Sequence, residues 1–218
     1  MQLSKRLIVA GAVVFALGLV LQFPARLAYR WIAPPELALS GISGTLWHGS
    51  AAEGMAGSLY LRDVSWNFRP LALVGGKLAI AVSASPASGF LEAELGVTPT
   101  GAVVLNDVNG RLPLQMFEDS FQLKGFRGDL NLQFAEVLIR DGLAVRASGS
   151  IGLAALSAPG LSAEPLGDFR AEFQSDDSGI VGSVETLAGV VKVVGVIRLG
   201  VDRSYSFIGQ VATTPRTP

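Results

Sequence analysis

Histidine is the commonest catalytic base in proteins, and this chain contains a single one, His48. Ser50 and Glu53 follow it closely, and a histidine between a nucleophile and an orienting carboxylate is the arrangement that acyl-transfer enzymes use. The three groups are neighbours only in sequence, and His48 itself stands beside Trp47 in a strand pattern flanked by glycines. We therefore expect a structural role for His48.

Carboxylates offer a second possible chemistry. Glu92 and Glu94 alternate along one predicted strand and would share a face, as paired acids must in glycoside hydrolysis, but a solvated strand face has the same pattern. Asp176 and Asp177 lack the spaced oxygen ligands of a calcium loop and are typical of a turn. Both pairs are therefore predicted to be structural.

Known catalytic and binding motifs are also missing from the sequence. The glycines of residues 41–44 (GISG) precede no predicted helix, so they are strand glycines and not a phosphate-binding loop. The chain has no Gly-x-Ser-x-Gly or His-Glu-x-x-His motif, and it has no cysteine to act as a thiolate, a disulfide or a zinc ligand. The sequence thus predicts no catalytic residue, no metal ligand and no cofactor.

The composition narrows the class of partner. The formal net charge is -1 and charged residues make up 16% of the chain, below the roughly 25% of ordinary soluble domains. A protein that binds nucleic acid needs a cluster of Lys and Arg to neutralise phosphates, and this chain has none. We expect no nucleic-acid partner.

The N-terminal stretch that would position the rest of the chain is apolar on every face. Residues 7–23 read LIVAGAVVFALGLVLQF, and residues 7–25 carry no charge. About 19 helical residues at 1.5 Å each extend about 28 Å, close to the ~30 Å of a membrane's hydrocarbon core. The pattern predicts one transmembrane helix, and its membrane lipid is one expected partner.

Two alternatives remain for this stretch. Lys5 and Arg6 could begin a cleaved secretory signal, although no clean small-x-small cleavage site follows. For an uncleaved anchor, Arg26 and Arg30 balance the two basic residues before it, so charge does not decide the orientation. A short cytoplasmic tip followed by a long exported domain is favoured by length, and Tyr29 and Trp31 would then lie at the far membrane interface.

The chain after the anchor has the pattern of an all-β domain. Short runs with alternating side chains are separated by Gly, Pro, Asn-Gly and Asp-Gly. The predicted strands are residues 41–51, 58–68, 77–85, 89–97, 102–108, 130–134, 137–139, 143–147, 168–174, 180–185, 190–199 and 205–211. Turns are predicted at Asn109-Gly110, at Asp141-Gly142 and over residues 176–179.

Other predictions concern the connections and the overall arrangement. Residues 69–76 predict a Pro-initiated helical corner, residues 114–121 a short helix, and residues 154–165 a loop that could divide the domain. We expect about ten strands in a meandering, mostly antiparallel sheet, either curved and open or folded as a sandwich. We expect the chain to divide into a cytoplasmic tip and anchor (1–30), an exported β-rich domain (31–212) and a flexible tail (213–218).

One strand prediction places five residues together. On residues 58–68, alternation puts Tyr60, Arg62, Val64, Trp66 and Phe68 on one face. Arg62 is the unexpected member of this set, and its aliphatic stem would have to lie over an apolar neighbour.

Two stretches of this sequence resemble a known family. Residues 39–51 (LSGISGTLWHGSA), preceded by FPA at 23–25, and residues 61–70 (LRDVSWNFRP) together resemble the N component of the bacterial type II secretion system. The family motif falls on Gly44, Thr45, Leu46, Trp47, Gly49, Val64, Trp66 and Pro70, to which we assign a structural role.

The resemblance implies a function for the chain. It implies a non-catalytic, single-pass protein of the bacterial inner membrane with its bulk in the periplasm, whose partners are other inner-membrane components of the secretion machinery. The pattern is also similar to the wider AsmA-like group of anchored β proteins, which implies as an alternative that the β domain binds or handles lipid.

Overall fold

A computed structural model of the chain confirms the mostly antiparallel all-β prediction. It describes residues 2–33, 37–56, 59–70, 72, 78–86, 88–98, 100–118, 125–160, 162, 164–200, 202 and 204–213, with backbone alone at 2–5 and 32. The helices are α1 (Gln2–Leu21) and α2 (Ala25–Ile32). The strands are β1 (Leu37–Ser40), β2 (Ser43–Gly44), β3 (His48–Ala56), β4 (Leu59–Phe68), β5 (Leu78–Ser85), β6 (Phe90–Val97), β7 (Val103–Pro113), β8 (Arg127–Arg140), β9 (Leu143–Ser157), β10 (Gly167–Asp176), β11 (Gly179–Ala188), β12 (Val191–Gly200) and β13 (Tyr205–Thr213).

All thirteen strands of the described residues belong to one sheet. From β3 to β13 each strand pairs antiparallel with the next along the chain, and β1 and β2 both pair with β3. The sheet is therefore an open meander, bounded by β1 at one edge and β13 at the other. A single sheet decides between the two expected arrangements in favour of the open one.

The strands are longer and less interrupted than the sequence pattern predicts. Asn109 and Gly110, predicted as a hairpin turn, lie inside β7 and pair with Glu92 and Leu91 on β6. Gly110 is needed there for space, because a Cβ would stand 2.9 Å from Cδ1 of Leu91. By contrast, Asp141-Gly142 and residues 177–178 do form turns.

Several boundaries also differ from prediction. The predicted strand 41–51 is broken into β2 and β3 by a turn. β9 continues to Ser157, into the predicted loop 154–165. The predicted helix 114–121 is a 3₁₀ turn over Leu114–Phe117, and its last three residues lie outside the described residues, as do 34–36, most of the corner at 69–76 and the tail from 214 onward.

A bulge in β4 corrects the predicted face. Asp63 has a left-handed φ of 49°, and pairing with β5 shifts by one residue between Arg62 and Ser65. An inserted residue reverses the alternation that follows it. The buried residues of β4 are consequently Leu61 and Val64, which are three positions apart instead of two. Tyr60 and Arg62 are exposed, so the prediction that Tyr60, Arg62, Val64, Trp66 and Phe68 share one face is wrong.

The two faces of the sheet differ in polarity. Directly paired residues lie on the same face, so the pairing defines rows that cross the sheet. On the apolar face, one row is Leu91, Gly110, Leu132, Ile151, Ala171, Val184 and Gly195. On the polar face, one row is Ser65, Ser83, Glu92, Asn109, Gln133, Ser150, Glu172 and Ser183.

Phenylalanine rings cover glycines on the apolar face. Phe173 on β10 lies between Gly149 and Gly182 of its two neighbouring strands, and its ring is 6.0 Å from that of Phe134. A Cβ on Gly182 would stand 2.7 Å from Cε1 of Phe173. These glycines therefore leave room for rings that cross the strands, as aromatic side chains do beside glycine in curved sheets.

The N-terminal helix α1 is covered by little of this structure. Leu7, Phe15 and Leu21 are 70%, 69% and 65% exposed. Within the residues that the structure describes, no helix combines the length and the apolar composition needed to cross a membrane.

We expect Gly182→Ala to lower the free energy of unfolding by about 1–2 kcal/mol, because the added methyl group displaces the ring of Phe173. Gly152→Ala is the matched control, since its Cβ would meet nothing closer than Cβ of Asn131 at 3.7 Å. Urea unfolding of the full chain measures both. Equal effects of the two substitutions would contradict the ring-over-glycine packing.

Candidate functional site

The most organised part of the described chain is the place where the helices meet the sheet, which we call the helix–sheet junction. It comprises the end of α1, helix α2, and the turn between β2 and β3. The family motif at residues 44–49 forms this turn, so the residues singled out in the sequence converge on one place.

The turn is closed by short-range hydrogen bonds. The N–H of Thr45 donates to the carbonyl oxygen of His48 at 2.8 Å, and the N–H of His48 donates back to the Thr45 hydroxyl at 3.1 Å. Gly44 precedes them with φ of 83°, a left-handed conformation that side chains disfavour. The tight reversal therefore uses the glycine for its left-handed φ and the threonine for its side-chain hydroxyl.

The turn is bonded to the end of α1. The indole N–H of Trp47 donates to the carbonyl oxygen of Val20 at 2.7 Å, and the N–H of Leu46 donates to that of Phe23 at 2.9 Å. The last carbonyl groups of a helix have no partner within it. The motif therefore supplies donors to carbonyl groups at the end of α1 and just after it; that of Val20 also accepts from the N–H of Phe23 at 3.3 Å.

The second motif tryptophan holds the turn against β4. The indole N–H of Trp66 donates to the carbonyl oxygen of Thr45 at 3.2 Å, and its ring lies over Gly49, where a Cβ would stand 2.5 Å from Cζ2. The ring of Trp47 packs against Phe68 with centroids 4.9 Å apart. Each tryptophan is half-buried and combines ring packing with one backbone hydrogen bond.

Helix α2 completes the junction and was not predicted as a separate helix. Pro24 precedes it in an extended conformation and forms an isolated bridge with Thr45. Arg26 donates from Nε to the carbonyl oxygen of Ile42 at 2.6 Å. Ala25 and Ala28 are buried while Trp31 is exposed, so one face of this short helix packs on the sheet.

Tyr29 of α2 blocks the edge of the sheet at β1. Its hydroxyl donates to the carbonyl oxygen of Leu37 at 2.9 Å and accepts from the N–H of Leu39 at 3.0 Å. An edge strand normally exposes such groups to a passing strand. One hydroxyl therefore satisfies two consecutive edge groups of β1.

A small core lies beneath the junction. Its buried members are Ala25, Ile42, Ala51, Leu61, Val64 and Ala84, with Tyr29, Leu39, Leu59 and Trp66 packed against them. Val64 of the motif is thus a core residue, and Pro70 follows β4 in a helical turn. No sequence pattern indicates that Arg26 and Ile42 meet, because Arg26 stands out only for its charge and Ile42 only as part of the strand pattern.

The groups considered for catalysis are not assembled. Ser50 shares a hydrogen bond with Ser43 at 2.9 Å. The Tyr60 hydroxyl is hydrogen-bonded to Glu53, and this bond is the main reason that the pKa of Tyr60 is raised. Both partners that His48 would need are therefore engaged elsewhere.

The acidic pairs also have structural surroundings. Glu94 lies 4.0 Å from Arg69 in an exposed ion pair, which contributes little. Asp176 accepts from the Ser178 hydroxyl at 2.5 Å and from its N–H at 2.8 Å, and these bonds lower the pKa of Asp176. Among the described residues no group of three or more acidic or histidine side chains could hold a metal ion.

Trp47→Phe tests the bond between the turn and α1, because it removes the indole N–H and keeps a ring against Phe68. A hydrogen bond contributes about 1 kcal/mol net, so we expect hydrogen exchange around residues 20–28 to rise by about fivefold. Trp31→Phe is the control, since Trp31 contacts the ring of Phe23 at 5.7 Å and is 74% exposed. Equal exchange in both variants would argue against the bond.

Comparison with known proteins agrees with the motif. The family described as type II secretion system (T2SS), protein N, matches residues 35–218. A relative from Aeromonas hydrophila, named type II secretion system protein N, is 26% identical over 224 aligned residues that cover 99% of this chain and 88% of the relative. No solved structure gives a significant match. The family match thus spans the whole sheet, and the chain belongs to the type II secretion system protein N family.

Proposed function

We propose that this chain is a non-catalytic inner-membrane component of the type II secretion machinery, which takes part in the export of folded proteins through contacts with other components. Its family makes it a component of the secretion system. The membrane anchor, the periplasmic position of the sheet and the action through protein contacts are the proposal.

The observation that carries the proposal is the contrast between the two ends of α1. Its apolar side chains, such as Leu7 and Phe15, are exposed on the body of the helix, whereas its end is fixed to the sheet through Val20 and Phe23. Apolar surface of this kind needs a covering, and lipid supplies it most simply. The backbone of α1 is 20 residues long, about 30 Å at 1.5 Å per residue.

Helix α2 would then lie at the membrane surface. Trp31 is exposed beside Phe23, and tryptophan is enriched where a membrane meets water. Arg30 lies in the last turn of α2, where a cation also complements the helix dipole. An α1 that is bonded to the sheet and an α2 that lies along the surface would set the direction in which the sheet extends from the membrane.

One observation favours a second function, in which the sheet binds lipid. On the apolar face, Leu132, Phe134, Ile151 and Phe173 are half-buried rather than buried. Acyl chains could cover such a face. Lipid that co-purifies with the chain would support this function, and a delipidated preparation that binds none would argue against it.

Val14→Arg tests the anchor. An arginine near the centre of a transmembrane helix costs about 2.5–3.5 kcal/mol on insertion, so we expect the variant to leave the carbonate-washed membrane fraction that retains the unaltered chain. Leu187→Arg places the same charge at an exposed position of β11 and should stay in the membranes. In spheroplasts, a tag after Pro218 should be cleaved by added protease.

The secretion role has its own readout. A strain that lacks this chain should secrete less of the system's substrates, and the unaltered chain and Leu187→Arg should restore secretion while Val14→Arg should not. Unchanged secretion after deletion would overturn the role in the machinery. A protected tag would overturn the periplasmic position, and a chain found in the soluble periplasm would overturn the anchor.

A further inference from the structure

The two edge strands of the sheet, β1 and β13, differ in how their outward-facing backbone groups are protected. β1 is four residues long, and Tyr29 occupies its outward-facing groups at Leu37 and Leu39. β13 is nine residues long, and every one of them is exposed. Natural edge strands are protected by charged residues, prolines, bulges or a covering element, and the sequence of β13, YSFIGQVAT, contains neither a charge nor a proline.

The hydrogen-bond pattern shows which groups of β13 face outward. At the start of the β12–β13 hairpin, the N–H of Gly200 donates to the carbonyl oxygen of Ser204 at 2.8 Å. Bonded and non-bonded pairs alternate along an antiparallel ladder, so even-numbered residues of β13 bond to β12. Val193 fits this phase, because its N–H and carbonyl oxygen bond the hydroxyl of Thr186 on β11. The backbone groups of Phe207, Gly209 and Val211 therefore point to the open side.

The last hairpin has exposed apolar side chains on both faces. The polar row that crosses the sheet to Ser183 continues onto Val196 and Ile208. On the other face, Tyr205, Phe207 and Val211 end the apolar rows. Tyr205 and Ile208 are 84% and 75% exposed although they lie on opposite faces. A lipid could cover one face, but lipid cannot bond the outward N–H and carbonyl groups.

We propose that β13 pairs antiparallel with β13 of a second copy of this chain, about a two-fold axis at Gly209. This register uses all nine residues, setting Phe207 beside Val211 of the other copy and Ile208 beside its Gln210. All outward backbone groups then find partners. No like charges meet, because β13 carries none, whereas like charges directly opposite are destabilising.

The two-fold axis also places the apolar faces of the two copies on the same side of the combined sheet. An isologous contact places the same surface on both copies, and an axis perpendicular to the sheet keeps both apolar faces on one side. The row that ends at Phe207 then continues onto Val211 of the other copy. Side chains on both faces of the hairpin then gain a cross-strand neighbour from the other copy, which an edge-to-edge contact between identical strands supplies.

Cysteine crosslinking tests the register. The chain has no cysteine, so a disulfide can form only at introduced residues. Ile208 and Gln210 of the two copies would form a non-hydrogen-bonded pair with Cα atoms about 4.5 Å apart, within disulfide range. We expect a mixture of full-length Ile208→Cys and Gln210→Cys, purified in detergent and oxidised, to give about fivefold more covalent dimer than either alone. A mixture of Ile208→Cys with Leu187→Cys is the control.

A charge at the edge tests the affinity. We expect Ile208→Lys to raise the dissociation constant of the dimer by about tenfold or more, since lysine is a natural guard of edge strands, and Leu187→Lys to leave it unchanged. Sedimentation of the full chain in detergent measures both, and circular dichroism checks the fold. A monomeric unaltered chain, or equal crosslinking in the control mixture, would overturn the proposal. A monomer that binds another secretion component through β13 would also overturn it, and would show that β13 pairs with a strand of a different protein.

Discussion

A sheet of one layer has no second layer to bury its strands, so each strand is held mainly by the backbone hydrogen bonds to its two neighbours. This constraint explains the length of the ladders: β8 and β9 contain 14 and 15 residues, well above the usual 5–6. It also explains the face packing. The ring of Phe173 packs over a glycine of an adjacent strand. Such cross-strand contacts take the place of the second layer that a sandwich would provide.

At the helix–sheet junction, helix α2 packs on the sheet and acts as a local second layer. There α2 buries Ala25 and Ala28, and Ala25 shares a core with Ala51, which is only 1% exposed. The indole N–H of Trp47 donates to the carbonyl oxygen of Val20, and that of Trp66 donates to the carbonyl oxygen of Thr45. The family motif is thereby explained by the contacts that it makes between helix and sheet.

The fold was largely predictable from local patterns, and the junction was not. The Asp141-Gly142 turn followed from turn chemistry that involves only neighbouring residues. Asn109-Gly110 carries the same kind of signal but serves a contact with Leu91, which is distant in sequence. The bulge at Asp63 has no local signature, and it reversed the face of half a strand. The bond between Trp47 and Val20 joins residues 27 apart, so no periodicity could reveal it.

The meander has a consequence for how the chain can fold. From β3 onward every strand pairs with the strand made just before it, so each addition closes only a short loop, and short loops close at the smallest entropic cost. During synthesis the N-terminal part of the chain is made first, so it can complete the junction before the later hairpins are added one at a time. Nothing synthesised later is needed to finish what came earlier. At every stage the strand added last presents a free edge to the strand that follows it.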